Sequence, residues 1–136
     1  MRRKRLVVLT LTMLLGASHA LADTIHLEAA LTNASEIQGS GSGAAHLNFE
    51  TTTHELNYSV RYTGLDGPAT AADIHGPAQL GTAGPIVVHF YVPDSPISGT
   101  ATLTEEQASA LLAGKFYVEI DTSTHPHGEL RGQIHR

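Results

Sequence analysis

Two short segments hold the side chains through which this sequence could do chemistry. Asp73 and His75 stand two residues apart in Ala71-Ala72-Asp73-Ile74-His75-Gly76. In an extended segment both side chains leave the same face. Asp121, His125 and His127 fall within Ile120-Asp121-Thr122-Ser123-Thr124-His125-Pro126-His127. There Asp121 ends a strand and the two imidazoles sit in the turn that follows. Imidazole and carboxylate are the protein ligands of zinc, copper, nickel and manganese. If the two segments meet at one end of a β fold, these five residues form a candidate divalent-metal site. The competing reading is structural. Asp73 would bond to turn backbone ahead of Gly76-Pro77, His75 would pack, and His125 and His127 would be solvated. Glu129 and Arg131, again two apart, read as an ion pair locking the last strand, with an anion-binding arginine as the alternative. His26, His46, His54, His89 and His135 alternate with apolar residues or lie in turns, and read as surface or packing residues.

The elements that must position these groups are strands. Ile25 to Leu31, Ala45 to Glu50 and Leu56 to Tyr62 alternate apolar and polar residues, the period of half-buried strands. The last two flank the turn Thr51-Thr52-Thr53-His54 and predict a hairpin. Gly39-Ser40-Gly41-Ser42-Gly43 reads as a loop. Pro85 to Val92 is a near-continuous apolar run and predicts a central strand, stopped by Pro93 and Pro96. Ile97 to Leu103, Lys115 to Asp121 and Glu129 to His135 predict three more strands. Between them, Thr104-Glu105-Glu106-Gln107 has the capping-box form of a helix start, and Gly114 supplies the stop. About seven short strands with one short helix define an all-β chain, a β-sandwich or Greek-key barrel. The helix belongs on a crossover between strands.

Composition narrows the function further. Arg2, Arg3, Lys4 and Arg5 precede the apolar stretch Leu6 to Ala17, and Ala20-Leu21-Ala22 offers a small-residue cleavage site. That pattern predicts a secretory signal peptide over residues 1–22, with one domain over 23–136. The apolar stretch falls short of the roughly 20 residues that span a bilayer, so no membrane span is expected after cleavage, and the location is periplasmic or secreted. Cleavage leaves four basic residues, Arg61, Lys115, Arg131 and Arg136, against all 13 acidic ones, a net charge of −9. Nucleic acid is excluded as a partner by that balance, because phosphate binding needs clustered Lys and Arg. An acidic surface favours cations. The chain has no Cys, so thiol catalysis, thiolate metal sites and disulfides are all absent. P-loop, G-x-S-x-G and H-E-x-x-H signatures are missing as well.

Three segments in order carry a family resemblance. They are Leu56-Asn57-Tyr58-Ser59-Val60-Arg61-Tyr62-Thr63-Gly64-Leu65, then Ala71 to Ala78 with Gly84-Pro85-Ile86-Val87, then Thr102 through Gly114-Lys115-Phe116-Tyr117-Val118 to Gly128-Glu129-Leu130-Arg131-Gly132-Gln133-Ile134. The sequence resembles the chordin-domain (CHRD) family over nearly all of residues 23–136, most specifically in the closing His-Pro-x-Gly-Glu-Leu-Arg-Gly-Gln-Ile tract. The resemblance implies an immunoglobulin-like β-sandwich. Members usually read His-x-His-Gly where this chain has Asp73-Ile74-His75-Gly76, and often Val-His-Thr where it has Ile120-Asp121-Thr122. His75 keeps the pattern, whereas Asp73 and Asp121 depart from it. Both departures exchange one metal ligand for another, which implies a site of harder character than an all-histidine one.

Three functional classes follow. The leading one is a non-enzymatic extracytoplasmic binding module with a divalent metal, copper or zinc, as candidate ligand. The second is a protein-interaction domain recognising an extracytoplasmic protein, as the family's animal namesake does, with an exposed apolar patch as its surface. The third is a copper-dependent oxidoreductase resembling superoxide dismutase, an analogy at fold level.

Overall fold

The computed structural model of the protein describes Gly16, Ser18 and residues 21–136. The expected signal peptide, residues 1–22, lies almost wholly outside the described residues. Among those residues no helix is long and apolar enough to cross a membrane. Eight strands and one helix follow in order: β1 Thr24–Asn33, β2 Ser42–Glu50, β3 Glu55–Thr63, β4 Ala69–His75, β5 Ile86–His89, β6 Ile97–Thr102, α1 Glu105–Leu112, β7 Tyr117–Thr122 and β8 Leu130–Gln133. The chain is all-β, as its alternating pattern predicts.

The strands pair antiparallel in the order β5-β4-β7-β8-β1-β2-β3-β6, a nearly closed sheet. β1 is the joint between its halves. Residues from Thr24 to Leu31 pair with β2, and Thr32 and Asn33 pair with β8. The alternation sends one side chain in two inward. Leu27, Ala29 and Leu31 of β1 meet Leu47 and Phe49 of β2, Leu56 and Val60 of β3, Ala72 and Ile74 of β4 and Val118 and Ile120 of β7 in one core. The segment after β5 crosses towards the far edge. There Phe90 stacks on Tyr58 with ring centres 4.6 Å apart, and the Tyr62 hydroxyl donates to the Pro93 carbonyl at 2.6 Å.

The helix forms where the capping box predicts. Thr104 Oγ1 accepts from the Gln107 backbone N–H, and Gln107 Oε1 accepts from the Thr104 N–H. It bridges β6 and β7 and buries Ala108 and Leu111.

Two expectations about strands need correction. Among the described residues the strands number eight against about seven expected, because Ala69 to His75 adds β4, which has Ile74 as its single large apolar residue. The run from Pro85 to Val92 is not a central strand. Only Ile86 to His89 is extended, and it forms an end of the strand order. Its apolar residues point two ways, Val88 into the core and Ile86 to the surface beside α1, while Tyr91 and Val92 are exposed.

Candidate functional site

The side of β4 turned away from the core is polar, and it lines up with polar residues on its neighbours. Cross-strand register places His89 of β5 against Asp73 of β4, Asp73 against Glu119 of β7, and Glu119 against Arg131 of β8. The adjacent row runs His75, Tyr117, Gln133, and Asp121 pairs with Ala71. A sheet face of this composition normally faces water. Here Asp73 is only 3% exposed, and the connection between β4 and β5 and the turn between β7 and β8 close around the neighbouring His75, Glu119 and Asp121.

Two glycines permit that cover. Gly76 has φ +152°, and a Cβ there would lie 2.7 Å from the Lys115 carbonyl oxygen. Gly128 has φ +109°, and a Cβ would lie 2.9 Å from Glu119 Cδ. Both positions call for the one residue without a side chain.

His75 sits at the centre. Its Nδ1 is 2.9 Å from the Gly84 carbonyl oxygen. A carbonyl can only accept, so Nδ1 carries the proton, and in the neutral ring Nε2 holds a free lone pair. That Nε2 is buried and has no hydrogen-bond partner. It lies 3.7 Å from Glu119 Oε1 and 4.0 Å from Asp73 Oδ2. Asp121 Oδ1 is likewise buried and unpartnered. The ring stacks on Tyr117 at 5.0 Å between centres, with 7° between planes. The Arg131 guanidinium lies 3.5 Å from the Tyr117 ring centre, and the Tyr117 hydroxyl accepts from the Gly84 N–H. His89 Nδ1 donates to Asp73 Oδ1 at 2.6 Å. A surface cavity of about 400 Å³ opens over His75, Glu119 and Asp121, with His127 and Arg131 also in its wall.

Electrostatics make this an uneasy arrangement. Burial pushes the Glu119 carboxyl above its ordinary value, with the Asp121 charge adding to the rise and His75 opposing it. Burial also raises Asp121, helped by the Asp73 charge. Partly desolvated carboxylates side by side favour the proton, or a cation, over bare charge.

Of the five residues singled out from sequence, Asp73, His75 and Asp121 share this face, and His127 is exposed at the cavity wall. His125 turns elsewhere. Its Nε2 lies 3.4 Å from Asp66 Oδ2, and Asp66, His125 and Glu129 bring ligand atoms within 4.8 Å of one another. That is a tighter convergence than the one around His75. Glu129 and Arg131 form no ion pair. Glu129 Oε1 accepts the Asp66 N–H at 2.7 Å, whereas Arg131 lies over Tyr117. Sequence reasoning passed over Glu119, although it shares a strand face with Asp121 by the same two-residue spacing. It reads His89 as a surface or packing residue, and gives Asp66 no role, because no local spacing connects it to His125.

Comparison with known proteins locates the chain. Chordin of Xenopus laevis is 30% identical to it over 109 residues, 73% of this chain and 11% of that protein. The chain therefore spans about a tenth of the curated relative it matches. No solved structure matches. The family model described as the CHRD domain matches residues 27–134, and with nearly the whole folded region covered, the chain belongs to the CHRD domain family.

Proposed function

We propose that this protein is an extracytoplasmic CHRD module that binds a divalent metal ion, copper or zinc, at Asp73, His75, Glu119 and Asp121, with His127 at the rim. One observation carries the reading. His75 has one ring nitrogen tied to a backbone carbonyl, while the other is buried, unpaired and turned towards carboxylates. Metal-binding histidines are held in this way, with the second nitrogen fixing the tautomer and the ring orientation. A tetrahedral ion with bonds of about 2.0–2.1 Å sets its ligands roughly 3.3 Å apart. Nε2 lies 3.7 and 4.0 Å from the Glu119 and Asp73 oxygens, close to that spacing, and the carboxylates must draw towards one another to complete the shell. Carboxylates outnumber imidazoles in the cluster, which supports binding over copper redox chemistry, since that usually recruits several imidazoles.

Metal analysis of the protein purified from the extracytoplasmic fraction tests the reading. Wild type should carry stoichiometric metal and a His75→Ala variant should lose this ion. Metal-free wild type that takes up neither copper nor zinc would overturn it. The second reading, recognition of an extracytoplasmic protein, is supported by the apolar Tyr91 and Val92, which are 91% and 65% exposed on the segment that follows β5, beside Tyr58 of β3 and Ile97 of β6. It predicts that Tyr91→Ser abolishes partner capture and leaves metal content unchanged.

A further inference from the structure

The turn from β7 to β8 and the loop from β3 to β4 meet at a second cluster, which the account of His75 does not use. The turn is rigidly built. The His125 backbone N–H donates to Thr122 Oγ1 at 3.1 Å, and the His125 carbonyl accepts from the N–H groups of Thr122 and Gly128. The loop is tied to it where the Ser123 N–H donates to the Pro68 carbonyl. Three ligand-bearing side chains project into the seam. His125 Nε2 faces Asp66 Oδ2 at 3.4 Å. Glu129 is 1% exposed. One of its carboxylate oxygens accepts the Asp66 N–H, and the other, Oε2, is buried without any partner.

Burying a carboxylate is costly unless an opposite charge compensates. Among the described residues, acidic side chains form ion pairs with histidines alone, and the nearest such pair here is His125 with Asp66. Among the described residues, no basic side chain lies within ion-pair distance of Glu129. Asp66, His125 and Glu129 offer ligand atoms within 4.8 Å of one another, a spacing that a small divalent cation can draw together. One imidazole with two carboxylates matches zinc better than calcium, which takes oxygen ligands only. Asp66, being exposed, leaves room for water to complete the shell.

We infer that Asp66, His125 and Glu129 form a second divalent-cation site, of zinc type, that staples the β3–β4 loop to the β7–β8 turn. It is separate from the His75 cluster in residues and in consequence. The first site is open to a cavity, and the second closes a seam between two loops.

Zinc titration of the purified protein, with hydrogen exchange followed by mass spectrometry, tests the inference. Wild type should bind two zinc ions. His125→Ala and Asp66→Asn, at partly exposed positions that spare the buried Glu129, should each bind one. His75→Ala should also bind one, and in that variant zinc should slow exchange in residues 64–68 and 123–128. His75→Ala combined with His125→Ala should bind none. The second site is overturned if His125→Ala binds zinc with the stoichiometry and affinity of wild type, or if zinc leaves exchange in both segments unchanged in the His75→Ala variant. A single ion lost with His125→Ala but kept with His75→Ala would uphold this site and refute the first. The opposite pattern would do the reverse.

Discussion

At the scale of residues, the protein places Asp73, Glu119 and Asp121 where carboxylates are poorly solvated. The Glu119 and Asp121 carboxyls are raised above their ordinary values of 4.5 and 3.8. A raised folded-state value means that the stabilising protonated form is fully present below the ordinary value, and that its contribution is lost as pH rises through the folded one. The metal-free protein should therefore lose stability from acid towards neutral pH on account of these two groups. Ion binding has the opposite sign, because it needs ionised carboxylates and neutral imidazole, and should strengthen as pH rises through the imidazole range near 6.5. Melting curves recorded with a chelator and with zinc should diverge as pH rises. Parallel curves would contradict this account. Glu119→Gln removes one buried charge and keeps the shape, so it should raise the melting temperature of the metal-free protein at pH 7 while weakening metal binding. His75→Ala should cost at least the roughly 10- to 100-fold in affinity that outer-shell partners cost.

At the scale of elements, the helix and most strands are legible in the sequence because their signals are local. The Thr104–Gln107 box is realised bond for bond. Thr104→Ala should cost about 1 kcal/mol in chemical denaturation without changing metal binding. β4 is weakly marked in the sequence, because only Ala72 and Ile74 define its inward face, and alanine carries little periodic signal. β5 is not placed by its sequence, because an apolar run reads alike whether it lies in a sheet centre or at an end, against a helix and a crossing segment. Asp73 and His75 are legible as a pair through their two-residue spacing, and Asp121 through its place in the second segment and the family resemblance. The cover over them is not, since it depends on loops distant in sequence. Gly128 is the test of that cover. Gly128→Ala forces a side chain against Glu119 in a backbone region that favours glycine. It should weaken metal binding by about tenfold, far more than alanine at Gly81, where a Cβ meets nothing within 4 Å.

At the scale of the whole molecule, burial alone must hold the fold, because the chain has no disulfide. Its inward face consists mostly of aliphatic residues with three phenylalanines. Ile120 lies fully buried on the strand that carries Glu119 and Asp121 on its other face. Ile120→Ala should cost about 2–5 kcal/mol and loosen the site along with the core, read as a lower denaturation midpoint and weaker zinc binding together. A bound ion acts on the same balance. At a free concentration 100 times its dissociation constant it adds about 2.7 kcal/mol. The most direct measurement of the central claim is calorimetric titration of the metal-free protein with zinc and copper at pH 7.5, comparing wild type with His75→Ala. The account predicts a binding event in wild type that disappears in the variant while the variant's far-ultraviolet spectrum stays β-rich. Identical isotherms for the two folded proteins would contradict it.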